Sequence, residues 1–222
     1  MRTHEGEPVE HVRDLPAPKA SRRALLRGGV TLGAAAAGLA AAAPSSFGTG
    51  SGRARRASSA PDGYPPTYWT PADTANYTVS ERPSSYPVQF VVVHVAQETY
   101  DDTIRLFQDP AHKASTHYVV RSADGHIGQC VRERDIAWHA GNWNYNTRSI
   151  GIEHEGWVDQ PRYFTDAMYR SSAALTAAVC DRYGLPKDRD HIIGHSEVPG
   201  ADHTDPGRYW DWTLYLRLVN GV

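Results

Sequence analysis

The chain has 222 residues, enough for one domain of ordinary size with extra segments but not for two independent cores. Its formal net charge is -2 with both signs interspersed, which excludes the basic face of a nucleic-acid binder and leaves the charge silent about a partner. Eleven histidines are plentiful for this length, so their clustering is the question to ask.

The chain opens with a targeting signal. Ser21, Arg22, Arg23, Ala24, Leu25, Leu26 and Arg27 precede an apolar Gly/Ala/Leu stretch, residues 28–43, that is too short to span a membrane. This pattern reads as a twin-arginine export signal over residues 1–43, with small residues for cleavage near Ala40 or, further on, near Ala57. Residues 44–66 are rich in Gly, Ser, Arg and Pro and read as a linker, which leaves residues 67–222 as the folded domain.

Within that domain residues 88–95 form a β-branched run suited to a strand buried on both faces, with His94 inside it. Asp101 or Asp102 is placed to cap a short helix through Phe107. Residues 118–121 and 127–131 read as a hairpin turning at Asp124-Gly125. Residues 149–155 alternate as a strand, with Ile150 and Ile152 on one face and Gly151, Glu153 and Glu155 on the other. Thr165 then caps a helix with Met168, Ser172, Leu175, Val179 and Tyr183 along one face, ended by Gly184 and Pro186. Ile192 and Ile193 suggest a short strand before His195, and residues 209–219 a closing helix. The order is that of a mixed α/β domain without internal repeats. After export Cys130 and Cys180 have a compartment that permits a disulfide, although two buried thiols satisfy the sequence equally well.

A catalytic zinc site takes three protein donors and keeps a fourth position open for water. His94, His195 and Asp205 are such donors at restrained places. Singly, each has an ordinary explanation: a strand histidine is commonly a hydrogen-bonded structural residue, and an Asp before Pro is commonly a turn former.

Seven ordered pieces make the reading specific. They are Val92-Val93-His94, Ser115-Thr116-His117-Tyr118, Asp124-Gly125, Ala137-Trp138-His139-Ala140-Gly141, Ser149-Ile150-Gly151-Ile152-Glu153, Gly194-His195-Ser196-Glu197-Val198 and Asp205-Pro206-Gly207. From about Asn76 onward the chain resembles the zinc-dependent N-acetylmuramoyl-L-alanine amidases that share a fold with peptidoglycan recognition proteins. The resemblance implies a single mixed central β-sheet flanked by helices, and Zn2+ held by His94, His195 and Asp205. It implies peptidoglycan as the partner, and hydrolysis of the amide between N-acetylmuramic acid and L-alanine by a zinc-activated water. The enzyme is expected to be a secreted monomer, off the membrane once its signal is cleaved.

The glutamate of the Ile-Gly-Ile-Glu motif is the family's proton carrier, a role that falls on Glu153. Phage and animal members often carry tyrosine where this chain has Thr116, a departure that shifts proton work toward Glu153. His203 stands where bacterial relatives commonly have lysine; it is a candidate donor to the developing oxyanion, against the plainer reading that it caps the ligand loop or bonds Asp205. Lysine would be charged there, whereas an imidazole with an ordinary pKa of about 6.5 has no assured charge. His139 reads as a substrate-contacting residue, as support behind the ligands, or as a structural loop histidine. Trp143, Tyr145 and Asn146 offer aromatic and amide groups to sugar or peptide, or serve core packing. His117 reads as structural, and His112, His126, His154 and His191 as solvated surface. Two rivals remain: a non-catalytic peptidoglycan-binding module, which usually lacks a zinc ligand, and a zinc peptidase acting on the stem peptide.

Overall fold

A computed structural model describes residues 63–222; the segment expected to be an export signal and most of the expected 44–66 linker lie outside the described residues. In chain order the described part forms strands β1 (Tyr68–Trp69), β2 (Tyr77–Thr78) and β3 (Phe90–Val95), then helix α1 (Tyr100–Gln108). Strands β4 (Tyr118–Val120), β5 (Ile127–Gln129) and β6 (Ile136–Ala137) follow, then helix α2 (Trp143–Arg148) and strand β7 (Ser149–His154). Helix α3 (Asp166–Tyr183), strand β8 (Ile192–Gly194) and helix α4 (Trp212–Val219) complete it.

Six strands make one mixed sheet in the order β1-β5-β4-β7-β3-β8, flanked by helices, while β2 and β6 pair separately. The β4–β5 hairpin is antiparallel, and β4, β7, β3 and β8 run parallel to one another. The β-branched run of β3 belongs near the middle because Val91, Val92 and Val93 are buried on both faces. Strand alternation sends Val91, Val93, Ile150, Ile152, Tyr118 and Val120 to one face, where Met168, Leu175 and Val179 of α3 and Tyr215 and Val219 of α4 cover them. Each fully buried aliphatic side chain there contributes about 1.5–3 kcal/mol. Val119 and Cys130 face the other way, with Tyr100 and Phe107 of α1.

Local chemistry sets the helix ends. Thr165 caps α3 by accepting from Met168 N, and Gly184 closes it in the left-handed region at φ 67°. The cap of α1 is Thr99, not Asp101 or Asp102: its Oγ1 accepts from Asp102 N, and the two aspartates occupy the first turn, where the helix dipole favours negative charge. Helix α4 starts at Trp212 behind Asp211, later than residue 209. The segment after His139 forms α2, nucleated by Asn142, whose Oδ1 accepts from Asn144 N and Tyr145 N.

Both cysteines are free and buried, Cys180 on the inner face of α3 and Cys130 on the opposite face of the sheet. The disulfide alternative is therefore corrected to two core thiols, and burial pushes both up to about 12. Accordingly, denatured protein alkylated without reductant should carry two labels by intact mass, and its unfolding midpoint should be the same with and without reductant. A single unlabelled pair would contradict this arrangement.

Candidate metal centre and active site

Parallel register builds the site. His94 of β3 lies across from Glu153 of β7, and Val93 across from Gly194 of β8, so His195, directly after β8, follows at the level of His94. Alternation puts His94 on the face of Val92 and Glu153 on the face of Ser149 and Gly151, away from the α3/α4 core. Asp205 arrives from the loop before α4 and is tied in twice: Val95 N donates to its Oδ2 at 3.3 Å, and Ser196 N to its carbonyl at 2.9 Å. A Cβ on Gly194 would lie 2.6 Å from Pro206 Cδ, so only glycine lets this loop approach β8.

The three side chains converge. Nδ1 of His94 lies 3.4 Å from Asp205 Oδ2, and Nδ1 of His195 lies 3.2 Å from Asp205 Oδ1. One donor atom from each falls within 4.8 Å of the others, and all three residues are buried. Donors at zinc distances of roughly 2.0–2.2 Å in a tetrahedron stand about 3.4 Å apart, so two imidazoles and a carboxylate at this spacing fit zinc. Burial, with Asp205 opposing, lowers His94 to about 4 and keeps it in the neutral form that ligates metals. Burial alone would raise the Asp205 carboxyl, but the effects led by the bond from His195 Nδ1 outweigh it and hold the group well below the carboxylate range.

Glu153 is buried beside this cluster, and desolvation, then the Asp205 charge, push its carboxyl well above the ordinary range. His203 is half exposed, with its ring stacked on His195 at 4.1 Å and its Nδ1 3.6 Å from Asp205 Oδ1. Thr116 is buried, and its hydroxyl donates to the Tyr118 carbonyl. The Trp143 ring is 54% exposed on α2, whereas Tyr145 stacks on Phe90.

At some of the remaining residues the structure selects among the roles the sequence left open, and at His154, His126 and His191 it replaces the solvated-surface reading. Asn146 is buried, and its Oδ1 accepts from the backbone N–H groups of His139 and Ala140, so it clamps the chain through its amide oxygen. His139 is buried too, with Nδ1 2.9 Å from His94 Nε2 and Nε2 3.1 Å from Ser149 Oγ, which leaves neither nitrogen for substrate. His154 is not solvated: it is fully buried on the core face, 2.7 Å from the His94 carbonyl and 2.6 Å from Ser172 Oγ. His126, stacked on Tyr68, and His191, 2.7 Å from Asp188, are half-buried. His117 is buried and its Nδ1 accepts from Gly151 N. Ser149 was not singled out from the sequence, although its parity with Gly151 and Glu153 on β7 marks the same face.

The family model described as N-acetylmuramoyl-L-alanine amidase matches residues 84–208. The chain is 36% identical over 170 residues to N-acetylmuramoyl-L-alanine amidase A of Achromobacter lyticus, covering 69% of this chain and 93% of that protein. It is 40% identical over 114 residues to the 1,6-anhydro-N-acetylmuramyl-L-alanine amidase AmpD of Haemophilus influenzae, covering 48% of this chain and 59% of that one. Among solved structures, a selenomethionine derivative of AmpD superposes with a TM-score of 0.57 at 30% identity, over 68% of this chain and 93% of that chain.

The clamp has a measurable consequence. Asn146→Ala removes the shared acceptor of two buried N–H groups, so urea unfolding should show a loss of about 1–3 kcal/mol. An unchanged midpoint accompanied by a raised KM would return Asn146 to a substrate-binding role.

Proposed function

This chain belongs to the N-acetylmuramoyl-L-alanine amidase family and is a peptidoglycan amidase, and we propose that it works through zinc held by His94, His195 and Asp205 with Glu153 as the proton carrier. The carrying observation is the convergence of those three donors beside a buried carboxylate at adjacent strand ends. Zinc bound there supplies Lewis acidity and lowers the pKa of a water at its open position to about 7. Glu153 takes the proton as water attacks the lactyl carbonyl and returns it to the departing alanine amine. His203, half exposed with its ring stacked on His195, would donate an N–H to the carbonyl oxygen as charge develops there. Trp143 offers an exposed ring on which sugar or peptide can pack.

The reading includes export through residues 1–43, supported by the paired Arg22 and Arg23, and action as a monomer on the cell wall by a domain spanning 67–222. Among the described residues no helix is long and apolar enough to cross a membrane. A non-catalytic wall-binding module is disfavoured because all three donors are present.

Digestion of purified sacculi with and without chelator tests the proposal: free alanine amino groups should appear without new reducing sugars, and chelation should stop their release. Activity indifferent to chelator, or release of reducing ends instead, would overturn it. Glu153→Gln should keep zinc content near wild type and lose on the order of a hundredfold in kcat. His203→Ala should also retain zinc and lose about a hundredfold, the scale of one oxyanion donor, while His203→Lys recovers most of it. Equal turnover in the Ala and Lys variants would confine His203 to shaping the loop.

A further inference from the structure

The hydrogen bonds behind His94 have only one consistent polarity. A backbone carbonyl can only accept, so the Ser149 hydroxyl, 2.6 Å from the Tyr145 carbonyl, spends its single proton there. Ser149 Oγ must then accept from His139 Nε2, 3.1 Å away. A neutral imidazole carries one N–H, so His139 Nδ1 is bare and accepts from His94 Nε2 at 2.9 Å. Proton order thus runs from a carbonyl that cannot reverse it to the ring of His94, whose Nδ1 is left as a lone pair aimed at Asp205.

We propose that His139 is a positioning residue which, with Ser149, presets the Nε2–H tautomer and ring angle of His94 and so presents a ready Nδ1 lone pair to the metal. The inference rests on the reading of His94 as a zinc ligand. Two further features hold the relay in place. Asn146 grips the backbone of His139 and Ala140. Gly151 leaves the strand bare under the ring, where a Cβ would fall 2.7–2.8 Å from His139 Cγ, Cδ2 and Nδ1. A lone pair facing a carboxylate oxygen at 3.4 Å is repulsive until a cation enters between them, which gives the preset tautomer a direct bearing on metal affinity.

The test reads the tautomer and the affinity separately. In metal-free wild type, long-range proton–nitrogen NMR correlations should show His94 protonated at Nε2 and bare at Nδ1; the opposite tautomer would refute the relay. His139→Leu should weaken zinc binding about 10–100-fold in a chelator competition, with partial recovery in His139→Gln, whose amide can both accept from His94 and donate to Ser149. Ser149→Ala, which keeps the ring, should mix the His94 tautomers without unfolding the protein. Unchanged tautomer in Ser149→Ala together with unchanged affinity in His139→Leu would overturn the proposal. His94→Ala separates the premise from the inference: full zinc retention there removes the ligand reading itself, whereas lost zinc there with full affinity in His139→Leu removes only the relay.

Discussion

The parallel register of β7, β3 and β8 is the constraint on which the site depends. It sets Glu153 against His94 and brings His195 alongside, three side chains from segments distant in sequence. Because side chains alternate along a strand, a slip of one residue would turn Glu153 into the α3/α4 core and bring Ile152 to the site. Apolar packing prevents that slip: Ile150 and Ile152 on β7 and Val91 and Val93 on β3 all belong to one buried cluster. The hydrophobic face of the sheet is therefore what fixes the geometry of its chemical face.

That chemical face is energetically unusual. Glu153 and Asp205 are both buried, and an unpaired buried charge is costly. The two carboxylates meet the problem differently. Asp205 stays ionised because His195 Nδ1 faces one of its oxygens and Val95 N donates to the other, while Glu153 is driven toward its neutral form. A divalent cation among these groups would favour ionised carboxylates and bare imidazole nitrogens together. Metal binding there would couple to stability for that reason.

Elements with strong periodicity were legible in the sequence: the β3 run, the Asp124-Gly125 hairpin and the Thr165-capped helix all stand where the residues indicate. Two-residue strands such as β1, β2 and β6 carry no readable period, and α2 was hidden because Trp143 to Arg148 has only six residues and no apolar stripe. The convergence of His94, His195 and Asp205 was reached from motif resemblance, since spacing alone does not bring a strand, a strand end and a loop together. What the sequence withheld were partners. Asn146 and His139 read equally well as ligand groups or as supports until their bonds are seen, and His154 looks like surface because nothing local announces that Ser172 and the His94 carbonyl enclose it. Arg82 is another such case, a buried guanidinium that donates to the carbonyls of Thr147, Ser149, Glu133 and Asp135 and so ties the segment before β3 to the strands around the site.

Placement of the donors finally rests on two missing side chains. Gly151 admits the His139 ring against β7, and Gly194 admits Pro206 against β8, each closer than any Cβ would permit. Substitution in the α3/α4 core is absorbed mainly as lost stability, because the strands beneath keep their pairing. Substitution at either glycine instead displaces a metal donor or its support while leaving the apolar face intact. A site held to sub-ångström tolerance is therefore more sensitive at these backbone contacts than in the core that carries most of the folding energy.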